Sequence, residues 1–125
     1  MFTLAIHGGA GTILRNDLSA EKEKLYRAGL QEALDAGYAV LTKGGTSLEA
    51  VKAAVISLED NILFNAGRGS VFSNKGEHEM DAAVMDGATL KAGAVAAVRN
   101  VRNPIVLAYE VMEHTDHVLL TGEGA

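Results

Sequence analysis

The residue best suited to chemistry in this chain is an asparagine in a glycine-rich loop. Asn65 lies within residues 63–72, where Gly67 and Gly69 are one residue apart and apolar residues flank both ends. Glycines let the backbone bend and let other groups approach closely, as the floor of an active site requires. Because its amide offers one acceptor and two donor hydrogens, Asn65 can orient a nucleophile or a polar substrate without adding charge. The plainer alternative is a loop in which Asn65 only bonds to its own backbone.

A second candidate is the glycine-rich segment of residues 7–11, which follows the apolar residues 2–6. This pattern predicts a buried strand that ties the N-terminus into a sheet and ends in a loop. Backbone N–H groups of Gly8 and Gly9 could face an anion or another backbone segment there. Because no acidic residue is beside His7, we interpret it as a structural histidine bonded to nearby backbone rather than a catalytic one.

The acidic residues give weaker indications of a site. Asp81 and Asp86 are five residues apart on a predicted strand, so they point to opposite faces and are not expected to work as a pair. Residues 58–62 follow a predicted helix, whose unpaired terminal carbonyls could surround a hard cation. We interpret Asp60 in this segment as surface charge.

Composition narrows the class of partner. The 125 residues are 48% apolar and 22% charged, which is typical of one soluble domain or less. A net charge of −5 and the absence of a basic run argue against a nucleic-acid partner, so a small molecule is expected. The sequence has no cysteine and no apolar run long enough to cross a bilayer. We therefore expect a cytoplasmic location and no membrane role.

The elements that must position these residues follow from periodicity and capping. Ser19 caps a predicted amphipathic helix that ends at Gly44-Gly45, and residues 46–49 match a capping box that begins a second helix. Residues 79–99 form two apolar runs around a short turn, which predicts a hairpin whose small residues suit a sheet covered on both faces. Pro104 begins a third helix, and residues 117–120 read as another strand. This order predicts an α/β fold that the chain does not complete by itself.

Seven blocks of the sequence together resemble the plant-type L-asparaginase and isoaspartyl peptidase family. They span the chain in order and comprise residues 6–11, 63–67, 79–82, 84–87, 91–96, 102–104 and 122–125. The resemblance implies an N-terminal-nucleophile hydrolase with an αββα sandwich fold. It identifies residues 1–125 as part of the first, α subunit, which a second subunit absent from this sequence completes.

The resemblance also implies the reaction. In this family a precursor cleaves itself, and the new N-terminal threonine of the β subunit attacks L-asparagine or a β-aspartyl dipeptide. Two αβ units are expected to form a heterotetramer without an organic cofactor. The nucleophile, the groups that bind the substrate and the oxyanion segment all belong to the β subunit, so this chain alone is expected to be inactive. Its sequence does not indicate which amide is preferred.

The site residues that the resemblance assigns to this chain form a supporting shell. Asn65 matches the asparagine beside the nucleophile, and His7, Gly8 and Gly9 match the glycine loop near the autocleavage site. Main-chain carbonyls are expected to hold a structural sodium ion that locks the Asn65 loop; they belong to Leu58, Glu59, Asn61, Phe64, Ala66 and Arg68. Arg68 stands where some relatives have an aliphatic residue, which need not matter to a carbonyl ligand.

Two alternatives remain open at this stage. A histidine and two glycines after an N-terminal strand also occur in amino-acid kinases, where the glycine loop binds phosphate. The later blocks do not match that family, and no basic residue is beside residues 8–11. The second alternative is a non-catalytic interaction domain, because the chain has no nucleophile of its own. Nucleotide binding would favour the kinase, whereas hydrolysis of β-aspartyl dipeptides would exclude the interaction domain.

Overall fold

Three helices and a three-stranded sheet make up the regular structure of the residues described. The computed structural model describes residues 1–11 and 18–125. The helices are α1 (Ala20–Thr42), α2 (Ser47–Glu59) and α3 (Pro104–His114), and the strands are β1 (Met80–Met85), β2 (Ala92–Val98) and β3 (Leu119–Thr121). Short 3₁₀ turns occupy Gly67–Gly69 and Gly122–Gly124. None of the helices in these ranges is both long enough and apolar enough to cross a membrane.

The helix boundaries follow the capping residues. The Ser19 hydroxyl accepts the backbone N–H of Lys22 at the start of α1. At the start of α2, Thr46 and Glu49 accept each other's backbone N–H in a complete capping box. Pro104 occupies the first position of α3, where a missing N–H costs nothing. These predicted helix starts are confirmed.

Small residues let α1 and α2 pack closely. Gly29, Ala33 and Gly37 are the buried residues of α1, and α2 buries Ala50 and Ala54. Gly37 lies against Ala50 and Ala54, whereas Gly29 lies against Asn61 and Phe64 in the loop after α2. A Cβ atom on Gly37 would lie only 2.9 Å from the carbonyl oxygen of Ala50, which no real contact permits. The two helices therefore form an antiparallel pair joined by Gly44 and Gly45.

The sheet carries the main apolar core on one face. β1 pairs antiparallel with β2, which confirms the predicted hairpin, and β2 pairs in parallel with β3. Helix α3 connects β2 to β3 and covers one face, where buried side chains meet: Val84, Val95, Val98, Ile105, Ala108, Val111 and Met112. On the other face Asp81, Ala83 and Met85 of β1 are exposed, so only one face is covered by the residues described.

The hairpin contains an irregularity held by a side chain. Its register shifts between Met80 and Ala82, so that one extra residue of β2 opposes β1. Ala97 in this bulge has a left-handed φ of 53°, which residues with a side chain rarely adopt. Its N–H donates to Oδ1 of Asp81 over 2.8 Å. The carboxylate thus replaces the ladder partner that the bulge removes.

The predicted N-terminal strand is wrong. Residues 2–6 have no strand pairing and are exposed or half-buried. A strand needs a neighbouring edge, and within the described ranges the sheet ends at β1 and β3. Leu4 lies over Gly37 of α1 instead, and the Phe2 ring meets Tyr38 edge to face at 5.5 Å. The α/β class is confirmed, whereas the αββα sandwich stays a prediction.

Candidate functional site

Asn65 is an exposed residue whose side chain is held by the backbone. Its Oδ1 accepts the N–H of Val71 at 2.9 Å, which closes the loop across the 3₁₀ turn Gly67–Gly69. This contact matches the plainer sequence reading of a backbone-bonded asparagine. It occupies the acceptor only, and within the part of the chain that is described the two Nδ2 hydrogens have no hydrogen-bond acceptor. Asn65 is thus fixed at one end and retains two donors for another molecule.

Two glycines allow this loop to lie directly on the end of α2. Gly67 has a φ of 51°, and a Cβ atom there would lie 2.4 Å from the carbonyl oxygen of Glu59. A Cβ atom on Gly69 would lie 2.1 Å from the carbonyl oxygen of Phe64. Both neighbours are backbone atoms that cannot rotate away. The glycine spacing therefore reflects close packing that positions Asn65.

One cleft joins Asn65 to the N-terminal glycine segment. The cleft has a volume of about 540 Å³ and lies between the N-terminal segment, α1 and the loop after α2. Its lining residues are His7, Gly8, Gly9, Ala10, Gly11, Tyr26, Leu58, Leu63, Phe64, Asn65 and Ala66. The two candidates that the sequence suggested separately, 54 or more residues apart by their numbers, thus share one cavity.

The glycine segment forms one wall of this cleft. Phe64 is buried beside it and meets the Tyr26 ring edge to face at 5.8 Å. A Cβ atom on Gly8 would lie 2.7 Å from Cδ2 of Leu30 and 3.3 Å from Cε1 of Phe64. The Nδ1 atom of His7 accepts the N–H of Gly9 at 3.1 Å. This geometry agrees with His7 as a structural histidine that shapes the loop.

Glu59 does more than its predicted carbonyl role requires. Its side chain is only 3% exposed, and one carboxylate oxygen accepts the N–H of Ile105 in the first turn of α3 at 2.9 Å. Asn103, which precedes α3, makes no side-chain cap, so Glu59 supplies that cap from another helix. Burial raises the pKa of the Glu59 carboxyl, while the Ile105 N–H and the nearby Asn103 amide partly oppose that rise.

Asp60 is also more than surface charge. Its two carboxylate oxygens accept Nε and Nη2 of Arg102 at 3.2 and 2.9 Å, and the Asn103 amide lies 3.3 Å from Oδ1. Hydrogen bonding to Arg102 lowers the pKa of the Asp60 carboxyl. The sequence interpretation of Asp60 as mere surface charge is therefore wrong. Together Glu59 and Asp60 tie the end of α2 to the start of α3.

The main-chain oxygens after α2 are of the chemical type that binds a hard monovalent cation. The carbonyls of Leu58, Asn61, Phe64 and Ala66 each accept one N–H within the turn, at 3.2, 3.4, 2.8 and 3.0 Å. Because a carbonyl oxygen has two lone pairs, each retains one for a ligand. Elsewhere in the described residues, no group of three or more His, Cys, Asp or Glu side chains could hold a metal. The sodium site stays a prediction based on neutral oxygen donors.

The two hairpin aspartates have separate structural tasks. Asp81 holds the bulge at Ala97, whereas Asp86 follows β1 and accepts the N–H groups of Ala88 and Thr89 and the Thr89 hydroxyl. The Thr89 hydroxyl is the largest cause of the lowered pKa of the Asp86 carboxyl. The expectation that they do not act as a catalytic pair agrees with these contacts.

Sequence reasoning missed several side chains around the site. The contact of Glu59 with Ile105 spans 46 residues and that of Asp60 with Arg102 spans 42, so no local pattern indicates either. Ser70 lies 3.0 Å from Nδ1 of His78, a pair that was also overlooked. The sequence features that come closest to indicating these contacts are an acidic residue at the end of one helix and, later in the chain, a helix with a weak N-cap.

Comparison with known proteins shows which family the chain resembles. The family model described as "Asparaginase" matches residues 1–125. The chain is 55% identical to the isoaspartyl peptidase/L-asparaginase of Xenopus laevis over 98% of its length and 38% of the relative's. It is 52% identical to the isoaspartyl peptidase of Salmonella typhimurium (98% of this chain, 39% of the relative) and to the plant-type L-asparaginase of Pyrococcus abyssi (100% and 39%).

These matches show the family of the chain and how much of its relatives' length the chain spans. The chain spans 35–39% of the length of the curated relatives it matches, at overall identities of 52–55%. The relatives' names describe enzymes that act on asparagine or on isoaspartyl peptides. The chain belongs to the asparaginase family.

Proposed function

We propose that the chain is the α-subunit part of an amidohydrolase that cleaves L-asparagine and β-aspartyl dipeptides. The observation that carries the proposal is the single cleft that brings Asn65 together with His7, Gly8 and Gly9. The names of the relatives support the reaction class. Since the chain spans little more than a third of those relatives, the remaining machinery is proposed to lie in a second subunit.

In this mechanism the chain orients groups rather than attacking the substrate. An N-terminal threonine of the second subunit would attack the amide carbon, and its own α-amine, with a pKa of about 8, would accept the hydroxyl proton. The amide nitrogen leaves as ammonia or as the amine of the released amino acid. Water then hydrolyses the threonine ester and yields a carboxylate. The Nδ2 hydrogens of Asn65 would hold the threonine or the substrate in line for these steps.

The backbone around Asn65 makes such orientation effective. Val71 holds Oδ1, and Gly67 and Gly69 lie against the carbonyls of Glu59 and Phe64. A positioned donor that does not move during the reaction costs no reorganisation energy. A sodium ion held by the carbonyls after α2 would stiffen the same loop and take no part in bond making. No organic cofactor enters the proposed reaction, and the proposal places the enzyme in the cytoplasm as a pair of αβ units.

The decisive experiment uses the longer protein that contains this chain. Mass spectrometry is expected to show two chains, the second beginning with threonine, and the purified protein is expected to hydrolyse L-asparagine and β-aspartyl dipeptides. Residues 1–125 alone are expected to show no turnover. An intact single chain with full activity would contradict the proposal, as would turnover by residues 1–125 alone. Nucleotide binding without amide hydrolysis would support the amino-acid-kinase alternative instead.

A further inference from the structure

A second pocket borders the Asn65 loop and has a different chemical character. It has a volume of about 230 Å³, and the polar side chains that line it are Arg68, Ser70, His78, Asn100 and Arg102. Every one of these side chains can donate a hydrogen bond. Within the described ranges no carboxylate lines this pocket, although the chain carries a net charge of −5. The pocket is thus a concentration of donors on an acidic protein.

The arginines leave an excess of positive charge at this pocket. Arg102 uses Nε and Nη2 to bind Asp60, and the remaining N–H groups of its guanidinium stay available. Arg68 also lines the pocket and makes no salt bridge with the other residues described. The charges of Arg68, Arg102 and Asp60 therefore sum to about +1, and the fixed fork of each guanidinium suits two oxygens of an anion.

Two further residues supply neutral donors. Ser70 lies 3.0 Å from Nδ1 of His78, and the His78 ring is fixed against Phe72 at 4.3 Å between centroids. If Ser70 donates to Nδ1, the ring carries its proton on Nε2; if Nδ1 donates, the Ser70 hydroxyl proton is left over. One donor of the pair remains in either arrangement. Asn100 adds an amide. Its φ of 59° is left-handed, so a glycine could replace Asn100 without backbone strain.

From these residues we propose that the pocket lined by Arg68, Ser70, His78, Asn100 and Arg102 binds a small oxyanion. The ligand would carry one oxyanion group, whose two or three oxygens would accept hydrogen bonds from the guanidinium, hydroxyl and amide donors. Inorganic phosphate and the carboxylate of a small amino acid both carry that chemistry. The inference goes beyond the proposed hydrolysis, because none of the residues in it has a part in that reaction.

The location links this pocket to the candidate active site. Gly67, Arg68 and Ser70 lie inside the loop that the bond between Asn65 and Val71 closes. An anion bound to Arg68 and Ser70 would therefore hold the same loop from the side of this second pocket. Binding is expected to stiffen the backbone that carries Asn65.

The test is isothermal titration of the longer protein with inorganic phosphate and, separately, with L-aspartate. Phosphate is expected to bind in a saturable way with a Kd of about 1 mM or tighter at low salt. Arg68→Gln should weaken binding about tenfold, the usual loss for one charge-assisted donor, and Asn100→Gly should weaken it less, because its amide is neutral and exposed. Asn100→Gly keeps the left-handed backbone and so removes the amide alone. Lys75→Gln, an exposed charge outside the pocket, is the matched control and should leave the Kd unchanged.

The binding measurements distinguish a phosphate site from a carboxylate site, and none of them requires hydrolase activity. L-aspartate is also the product of the proposed hydrolysis, so binding of L-aspartate that Arg68→Gln leaves unchanged belongs to the hydrolase site. For binding that Arg68→Gln weakens, a lower Kd for phosphate than for L-aspartate would identify a phosphate site, and the reverse order would identify a carboxylate site. No saturable binding of either anion would overturn the proposal. It would also be overturned if Lys75→Gln weakened binding as much as Arg68→Gln, since the effect would then be one of net charge. A protein inactive as a hydrolase can still pass this test.

Discussion

The carboxylate of Glu59 accepts the backbone N–H of Ile105 at 2.9 Å, so the last residue of α2 caps the first turn of α3. The same residue offers its carbonyl oxygen to the floor of the Asn65 loop, where Gly67 lies against it. One residue thus connects the candidate site to the helix that covers the sheet.

Glu59→Ala should destabilise the protein by about 1–3 kcal/mol, because it removes a helix cap and leaves the Ile105 N–H buried without a partner. Glu59→Gln keeps an acceptor for Ile105 and removes the buried charge, so its loss should be smaller. Melting temperatures from scanning calorimetry of the longer protein measure the difference. Equal melting of Glu59→Ala and the unchanged protein would show that the cap contributes nothing.

Gly69→Ala should distort the Asn65 loop, because the new Cβ atom would lie 2.1 Å from the Phe64 carbonyl oxygen. Backbone must shift to relieve such a contact, at a cost of about 1–3 kcal/mol. We expect kcat for L-asparagine to fall together with stability. Gly87→Ala is the control, since Gly87 does not line the cleft and a Cβ atom there meets nothing within 4 Å. Unchanged kinetics for Gly69→Ala would mean that the loop geometry is not needed.

Asn65→Ala should lower kcat by about 10- to 1000-fold, the range found when one positioned polar group is lost. Asn65→Asp separates the two functions of the side chain. It keeps an oxygen for the Val71 N–H but has no amide hydrogens to donate. A comparable loss in Asn65→Asp, with the melting temperature unchanged, would assign the effect to the Nδ2 donors. If both variants kept the original kcat, the proposed role of Asn65 would be wrong.

Sodium should raise the melting temperature of the longer protein more than choline at the same ionic strength. Because the proposed ligands are carbonyl oxygens, Arg68→Ala should keep this sodium effect. A glycine inserted after Arg68 should abolish it, since the turn could no longer aim its oxygens at one point. Loss of the sodium effect in Arg68→Ala would indicate a side-chain contribution and contradict the main-chain site.

The neighbouring carboxyls Glu59 and Asp60 should respond to acid in opposite ways. Arg102 lowers the folded pKa of Asp60, so its contribution to stability is complete above the ordinary value of 3.8 and is lost as the pH falls through the folded pKa. The stability gap between the unchanged protein and Asp60→Asn should therefore close in acid.

Burial raises the folded pKa of Glu59, so its ionised form costs stability above that pKa, and the cost disappears as the pH falls towards 4.5. Relative to Glu59→Gln, the unchanged protein should become more stable over that range. Melting temperatures between pH 7 and 3 test both signs. Parallel curves for all three proteins would rule out these two carboxyls as titrating contributors.

Short sequence patterns predicted the helix starts and the hairpin, because capping residues and turns depend on residues that are neighbours in the sequence. Ser19, the Thr46 capping box and Pro104 mark helix starts that the structure confirms, and the turn at Asp86 marks the hairpin. Apolar spacing was less reliable for side-chain burial. Leu25, Val51 and Val106 recur at helical spacing with other apolar residues, yet they are 56%, 38% and 36% exposed. Small residues, not large ones, make the contact between α1 and α2.

The remaining features depend on contacts that periodicity does not encode. Residues 2–6 have the composition of a strand, but a strand needs a partner edge, which composition does not reveal. The cleft joins His7 to Asn65 only because α1 and α2 fold back on each other. The Asn65 and glycine-loop candidates came from residue types and family resemblance, and the structure shows that they are neighbours. Their chemical roles stay predictions.

The connection of β2 to β3 through α3 has a consequence for how the chain folds. Residues 92–121 form this unit from contiguous sequence, and residues 20–59 form the α1–α2 pair in the same way. Contacts between residues near in sequence close short loops, and such units form fast. The two halves can therefore arise separately and meet through Glu59 with Ile105 and Asp60 with Arg102. We therefore expect docking of the halves, which also completes the surroundings of Asn65, to be the slow and late event of folding.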